Sequence, residues 1–192
     1  MHHVYTRMTR RMSPITFTDR DFKAIDPKQD DPMVITVTFD NFAVMKTLVD
    51  QGNSVDIFYW KTFKKLKIPN TEIQPYDDQI IGIYGERVDT RGFIDLYTKF
   101  GEPRHQNRVI KVRYLLIDAN TSYNILLGRP LLDQLGAIVS TPHLAMKFPS
   151  SKGDIITVHV DQKTTRECYV ASLRMVPMKP EVEKCRKRAK RK

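Results

Sequence analysis

Four residues invite a chemical reading first: Val49-Asp50-Gln51-Gly52. Apolar residues lead into a carboxylate, and a glycine follows two positions later. The glycine permits a tight turn through a backbone conformation that other residues resist, and it lets another backbone or a substrate come close. A carboxylate so placed is presented from a strand end at the edge of an apolar core, where it can take up or deliver a proton. Asp-x-Gly turns are common, so their company matters. About 30 residues on, segment 80–94 carries glycines at 82, 85 and 92, and about 75 residues on comes Ile125-Leu126-Leu127-Gly128-Arg129.

The elements that must position Asp50 follow from periodicity. Met33, Ile35, Val37 and Phe39 alternate with Thr36 and Thr38, Asp40-Asn41 supplies a turn, and 43–49 is a second β-rich run. This hairpin delivers Asp50 to its turn. Tyr59, Phe63 and Leu66 recur at helical steps, which predicts one short helix over 58–66, closed by Pro69. Segments 79–84 and 92–100 are strand-like around a polar stretch, 85–91, and describe a long, mobile hairpin. Further strands are expected at 109–117, 123–127, 137–140, 144–148, 155–160 and 168–173. Pro130 suits the first turn of a short helix over 131–135 that ends at Gly136. The lead-in, 1–31, has Ile15, Phe17 and Phe22 as anchors and one strand expected near 14–18. About nine strands and two short helices make an all-β chain with a closed, barrel-like sheet.

Composition bounds the function. The 192 residues suffice for one domain with a core plus tails. The expected division is a lead-in over 1–31, a domain over 32–173 and a basic, disordered tail over 174–192. No run of about 18 apolar residues is present, so no membrane span is expected. No apolar run follows Arg7, Arg10 and Arg11, so no secretory signal is expected either. Cys168 and Cys185 read as two free intracellular thiols, and the expected location is cytoplasmic or nuclear. The net charge of +10 resides in the tails, because residues 14–173 hold 20 basic against 20 acidic side chains. Lys184, Arg186, Lys187, Arg188, Lys190, Arg191 and Lys192 offer a weak nucleic-acid contact or a nuclear address, but a solvated linker is the favoured reading. Neither His143 nor His159 has a Cys or acid at metal spacing, and His2 and His3 are too few, so no metal site is expected. Ser54 and Ser140 lack the base and orienter that a serine nucleophile needs.

The order of Asp50-Gln51-Gly52, glycine hairpin and Leu127-Gly128-Arg129 resembles the retropepsins, the aspartic proteases of retroviruses and retrotransposons. The wording of 33–173 is similar to polyproteins of plant gypsy-class retrotransposons, notably Leu48 to Ile57 and Ala137 to His143. The resemblance implies that Asp50 is catalytic and that Gln51, Gly52, Asn53 and Ser54 complete the active-site turn. Ile81, Gly82, Ile83, Tyr84 and Gly85 then lie where the flap over a polypeptide substrate should be, and Leu127, Gly128 and Arg129 brace the turn. Two carboxylates a few ångströms apart share one proton, so that one acts as general base and the other as general acid. Only one Asp-x-Gly turn of the right kind is present. Asp89-Thr90-Arg91 lacks the glycine, and Lys152-Gly153-Asp154 has the wrong order. The second Asp50 must therefore come from a second copy, which implies a homodimer without metal or organic cofactor. The expected function is an aspartic endopeptidase that cleaves its own polyprotein.

Two positions depart from the family. Gln51 stands where Thr or Ser is usual, and Asn53 where Ala or Ser is usual. They leave a second function open, a catalytically inactive relic that serves as a dimerisation or binding module. Asp56 can hydrogen-bond backbone near the turn, Trp60 is expected in the core, and Arg129, costly beside a core turn unless paired, is expected to have a carboxylate or carbonyl partner.

Overall fold

The computed structural model describes residues 14–22, 31–40, 42–78, 80–81, 87–102 and 106–175. Alternation along Val34–Phe39 (β1) does what period-2 burial requires: Ile35, Val37 and Phe39 point into the core while Thr36 faces solvent. Phe42–Val49 (β2) returns antiparallel to it. Its register with β1 shifts by one residue at a bulge, where Lys46 takes φ +59°. Asn124 satisfies that bulge, its amide side chain donating to the Met45 carbonyl at 2.8 Å and its backbone N–H to Lys46 at 2.9 Å.

Four more strands close a barrel with these two: Ile57–Tyr59 (β3), Thr90–Gly101 (β6), Asn107–Ile117 (β7) and Ile125–Leu127 (β8), in the order β1-β2-β8-β3-β7-β6. β8 lies parallel to β2, and β3 parallel to β7. The short β8 is buried throughout, as a central strand covered on both faces must be. Phe58 centres the interior, with the rings of Phe39, Phe63 and Tyr114 at 5.5–5.9 Å from its own. A smaller apolar cluster gathers Ile57, Ile117 and Leu126, with Leu48, Val55, Tyr59, Ile80 and Val88 packed against it.

The expected helix over 58–66 begins later, because Ile57–Tyr59 pairs as a strand. Trp60–Phe63 (α1) is followed by a 3-10 turn over Lys64–Leu66. Trp60 packs against the core and stacks on Phe63, with the Arg91 guanidinium 4.6 Å from its ring centre. Arg129–Leu135 (α2) ends at Gly136, whose φ of +62° closes the helix as the glycine signal predicts.

The glycine hairpin is shorter than expected. Ile80–Ile81 (β4) pairs with Arg87–Val88 (β5), not with 92–100. The latter belongs to β6, which pairs with β7 and β1 in the barrel, and Gly92 (φ +117°) leaves room for residue 74 to bridge to Phe93, since a Cβ there would meet the Gln74 carbonyl oxygen. Gly82, Ile83, Tyr84 and Gly85 lie outside the described residues.

A second sheet, Ile138–Ser140 (β9), Ala145–Pro149 (β10) and Ile155–His159 (β11), runs in the order β11-β10-β9. The strand expected near 14–18 does not form. Both edges of β10 are taken, so the lead-in docks through side chains instead. Lys147 sends its buried ammonium to the Thr16 carbonyl at 2.8 Å and to Asp21 at 2.7 Å, and Phe17 and Phe22 pack on the His143 ring. His143 also pairs with Ser140 at 2.6 Å.

The strand expected at 168–173 is helix: Gln162–Met175 (α3). Asp161 accepts the Lys163 and Thr164 amides at its start, and Thr165 and Cys168 are buried one turn apart. The β-branched and aromatic residues of Tyr169-Val170 suggested a strand; capping and helical spacing overrode them. Among the described residues there is therefore a third α-helix beyond the two expected. Residues 176–192, including the basic run, lie outside the described residues.

Candidate active site

Val49 is the last residue of β2, and Asp50 follows with its side chain half-exposed. Two backbone bonds hang the turn on the end of β8 and the residue after Gly128, and a third closes the turn on itself. Asp50 N–H donates to the Leu127 carbonyl at 2.9 Å, Asn53 N–H to the Asp50 carbonyl at 3.2 Å, and Arg129 N–H to the Asn53 carbonyl at 2.9 Å. The carboxylate is itself oriented: its Oδ1 accepts the Gly52 amide at 2.9 Å. Asn53 Oδ1 accepts the Val55 amide at 3.2 Å and stiffens the return to β3.

Of the two reasons expected for Gly52, the backbone conformation does not apply. Its φ is not positive, so conformational freedom is not what the position needs. A Cβ would instead stand 3.2 Å from Asp50 Oδ1, against the oxygen that Gly52 N–H holds. Gly128 is tighter still: a Cβ would meet the Val55 carbonyl oxygen at 2.4 Å and that of Asn53 at 2.8 Å. The turn rests directly on the Gly128 backbone.

Arg129 departs from expectation. Its side chain is exposed, so it incurs no burial cost that would demand a partner; only its backbone N–H reaches the turn. Gln51, Gly52 and Ser54 are exposed and Asn53 is half-buried. The structure thus brings together Asp50 to Ser54 and Leu127 to Arg129. Of the flap candidates, only the Ile81 main chain is described, in β4.

Sequence reading gave too little weight to Asp56 and passed over Tyr59. Asp56 is buried, and its Oδ1 accepts the Gly128 amide at 2.7 Å. Burial pushes its carboxyl up to about 7, against the pull of the Gly128 and Leu131 amides. Tyr59 has its phenol pushed up by burial, opposed by a bond from Thr121, with the Asp50 charge adding to the rise. Its signal lay in the alternation Val55, Ile57, Tyr59, which puts it on the face of the small apolar cluster beside the turn. A pocket of about 400 Å³ opens nearby, lined by Ser54, Val55, Asp56, Tyr76, Arg113 and Pro130 among others. Among the described residues, no group of three or more His, Cys, Asp or Glu side chains could hold a metal ion, and no helix is long and apolar enough to cross a membrane.

No protein-family profile matches the chain, and comparison with curated proteins finds no match. Solved structures do match. The retroviral protease-like domain of Ddi1 from Leishmania major superposes with a TM-score of 0.52 at 14% identity, over 69% of this chain and 95% of that one. A retropepsin-like aspartic protease from Rickettsia conorii gives a TM-score of 0.40 at 15% identity, over 65% and 80%. The closed six-stranded barrel, with its turn hung on β8, is a retropepsin-like fold.

Proposed function

We propose that this chain is an aspartic endopeptidase of the retropepsin type, active as a homodimer in which Asp50 faces Asp50 of a second copy. The observation that carries the reading is the presentation of Asp50: half-exposed at a strand end, its Oδ1 held by Gly52, its backbone hung on Leu127. In the mechanism proposed, one ionised carboxylate takes a proton from water as the water oxygen bonds to the scissile carbonyl carbon, and its neutral mate then protonates the amide nitrogen as the C–N bond breaks. The substrate we propose is the polyprotein of a plant gypsy-class retrotransposon, on the strength of the wording of 33–173. The test is cleavage of a longer precursor by the purified chain near pH 5. Cleavage by the parent but not by Asp50→Asn supports the reading; equal cleavage by both removes Asp50 as catalyst.

Gln51 favours a second reading, a catalytically silent domain that retains the fold as a dimerisation or binding module. Its exposed, flexible amide stands where a short hydroxyl would join two turns. A dimer by sedimentation that cleaves nothing at any pH would establish it.

A further inference from the structure

Asp56 is the one described acidic residue in the buried interior, 5% exposed. A buried carboxyl is unfavourable unless donors meet it, and here backbone amides of Gly128 and Leu131 do so. Its main chain is fixed separately, because Leu115 N–H on β7 donates to the Asp56 carbonyl at 2.9 Å. Asp56 thus ties a rigid barrel strand to the segment from which the Asp50 turn hangs. Gly128 receives both loads: its N–H goes to Asp56, and its Cα sits under the carbonyls of Asn53 and Val55.

We propose that Asp56 is a positioning residue for the Asp50 turn, its carboxyl holding Gly128 at the height that sets where Asp50 is presented. The inference rests on the protease reading for its catalytic readout alone. An acceptor oxygen is what the tie needs, and either protonation state supplies one. The ionised form adds a buried charge beside the turn, so the tie responds to pH. The groups around it are Tyr114, Lys111 and Arg113 of β7, Asp95 of β6 and Tyr76, with the exposed Arg129 and Asp133 on α2, the helix whose first turn it bonds. Lys111 and Arg113 are engaged by Asp95, at 3.4 and 2.9 Å, rather than by Asp56.

The experiment compares Asp56→Asn, which keeps an acceptor, with Asp56→Leu, which does not. Peptide cleavage and amide hydrogen exchange are measured on full-length protein. In Asp56→Leu, kcat should fall at least about tenfold with KM within about twofold, and the amides of 50–53 and 127–131 should exchange faster. Asp56→Asn should stay within about threefold of the parent in kcat and keep its protection. Protection of 127–131, corrected for intrinsic exchange, should change between pH 5 and pH 8 in the parent and not in Asp56→Asn. Parent-like behaviour of Asp56→Leu, or equal damage in both variants, overturns the proposal. If Asp56→Leu does not fold, Asp56→Ala, which also lacks the acceptor but adds no bulk, takes its place under the same readouts, and parent-like kcat and protection in it overturn the proposal. If the parent cleaves no peptide, the protease reading fails while the exchange data still test Asp56.

Discussion

Gly128 lies with its Cα against the carbonyl oxygen of Val55, so closely that a β-carbon would stand 2.4 Å away. That oxygen is backbone and cannot swing aside. Gly128→Ala should therefore shift the whole turn. The expected loss is about 3 kcal/mol, at the upper end of overpacking costs, read as a lower urea midpoint. An unchanged midpoint would mean that the turn does not rest on Gly128.

Stability should depend on pH in a way set by Asp56. Its folded value, about 7, lies above the ordinary 3.8, so the native state holds the proton more tightly than the unfolded chain. The contribution is full below about pH 4 and is lost as pH rises through 7. Three units correspond to on the order of 4 kcal/mol at most. Asp21, Asp95 and Asp161 are held low by hydrogen bonds, chiefly from Lys147, Arg113 and Thr164 respectively, so they act oppositely, stabilising above the usual carboxylate range and failing in acid. Melting temperature should peak between about pH 4 and 6. In Asp56→Asn the decline toward pH 8 should be absent; a decline equal to the parent's would assign it to another group.

Gln51→Thr tests whether the amide hinders a two-fold site. Ordering a Gln side chain costs roughly 1.5–2 kcal/mol, against less for a short hydroxyl. That difference converts to on the order of tenfold. Gln51→Thr should tighten dimerisation by about that factor, measured by sedimentation across concentration. Looser association in the variant would show that Gln51 is an adapted contact rather than a hindrance.

Lys147 is buried to 8% exposure, with Asp21 and the Thr16 carbonyl as partners. Lys147→Met should cost about 2 kcal/mol, because Asp21 loses its only described cation. Trypsin should then cut at Arg20 much faster than in the parent. Equal cutting would show that 14–22 is held by Phe17 and Phe22 alone.

Much of this architecture was legible in the sequence, for local reasons. The alternation from Met33 to Phe39 set β1, and Pro130 with Gly136 marked α2 within two residues. The position of Asp50 at a strand end followed from the second β-rich run, 43–49. Where reading failed, a distant contact outweighed local preference. Segment 14–18 has strand-like residues, but β10 offers it no free edge. Segment 168–173 has β-rich side chains, but Asp161 starts a helix there.

What the sequence alone determined is the set of groups that can do chemistry: one carboxylate in a glycine turn and the segments able to carry it. Chain order and periodicity suffice for that, because strand ends and tight turns are specified by neighbours. Tertiary structure alone decided how the turn is supported. Gly52 leaves room beside the Asp50 oxygen, Gly128 is needed for contact with two carbonyls, and Asp56 supplies a buried bond across 72 positions of chain. Those relations arise only when β3, β8 and α2 converge, and no local pattern encodes the distance between them.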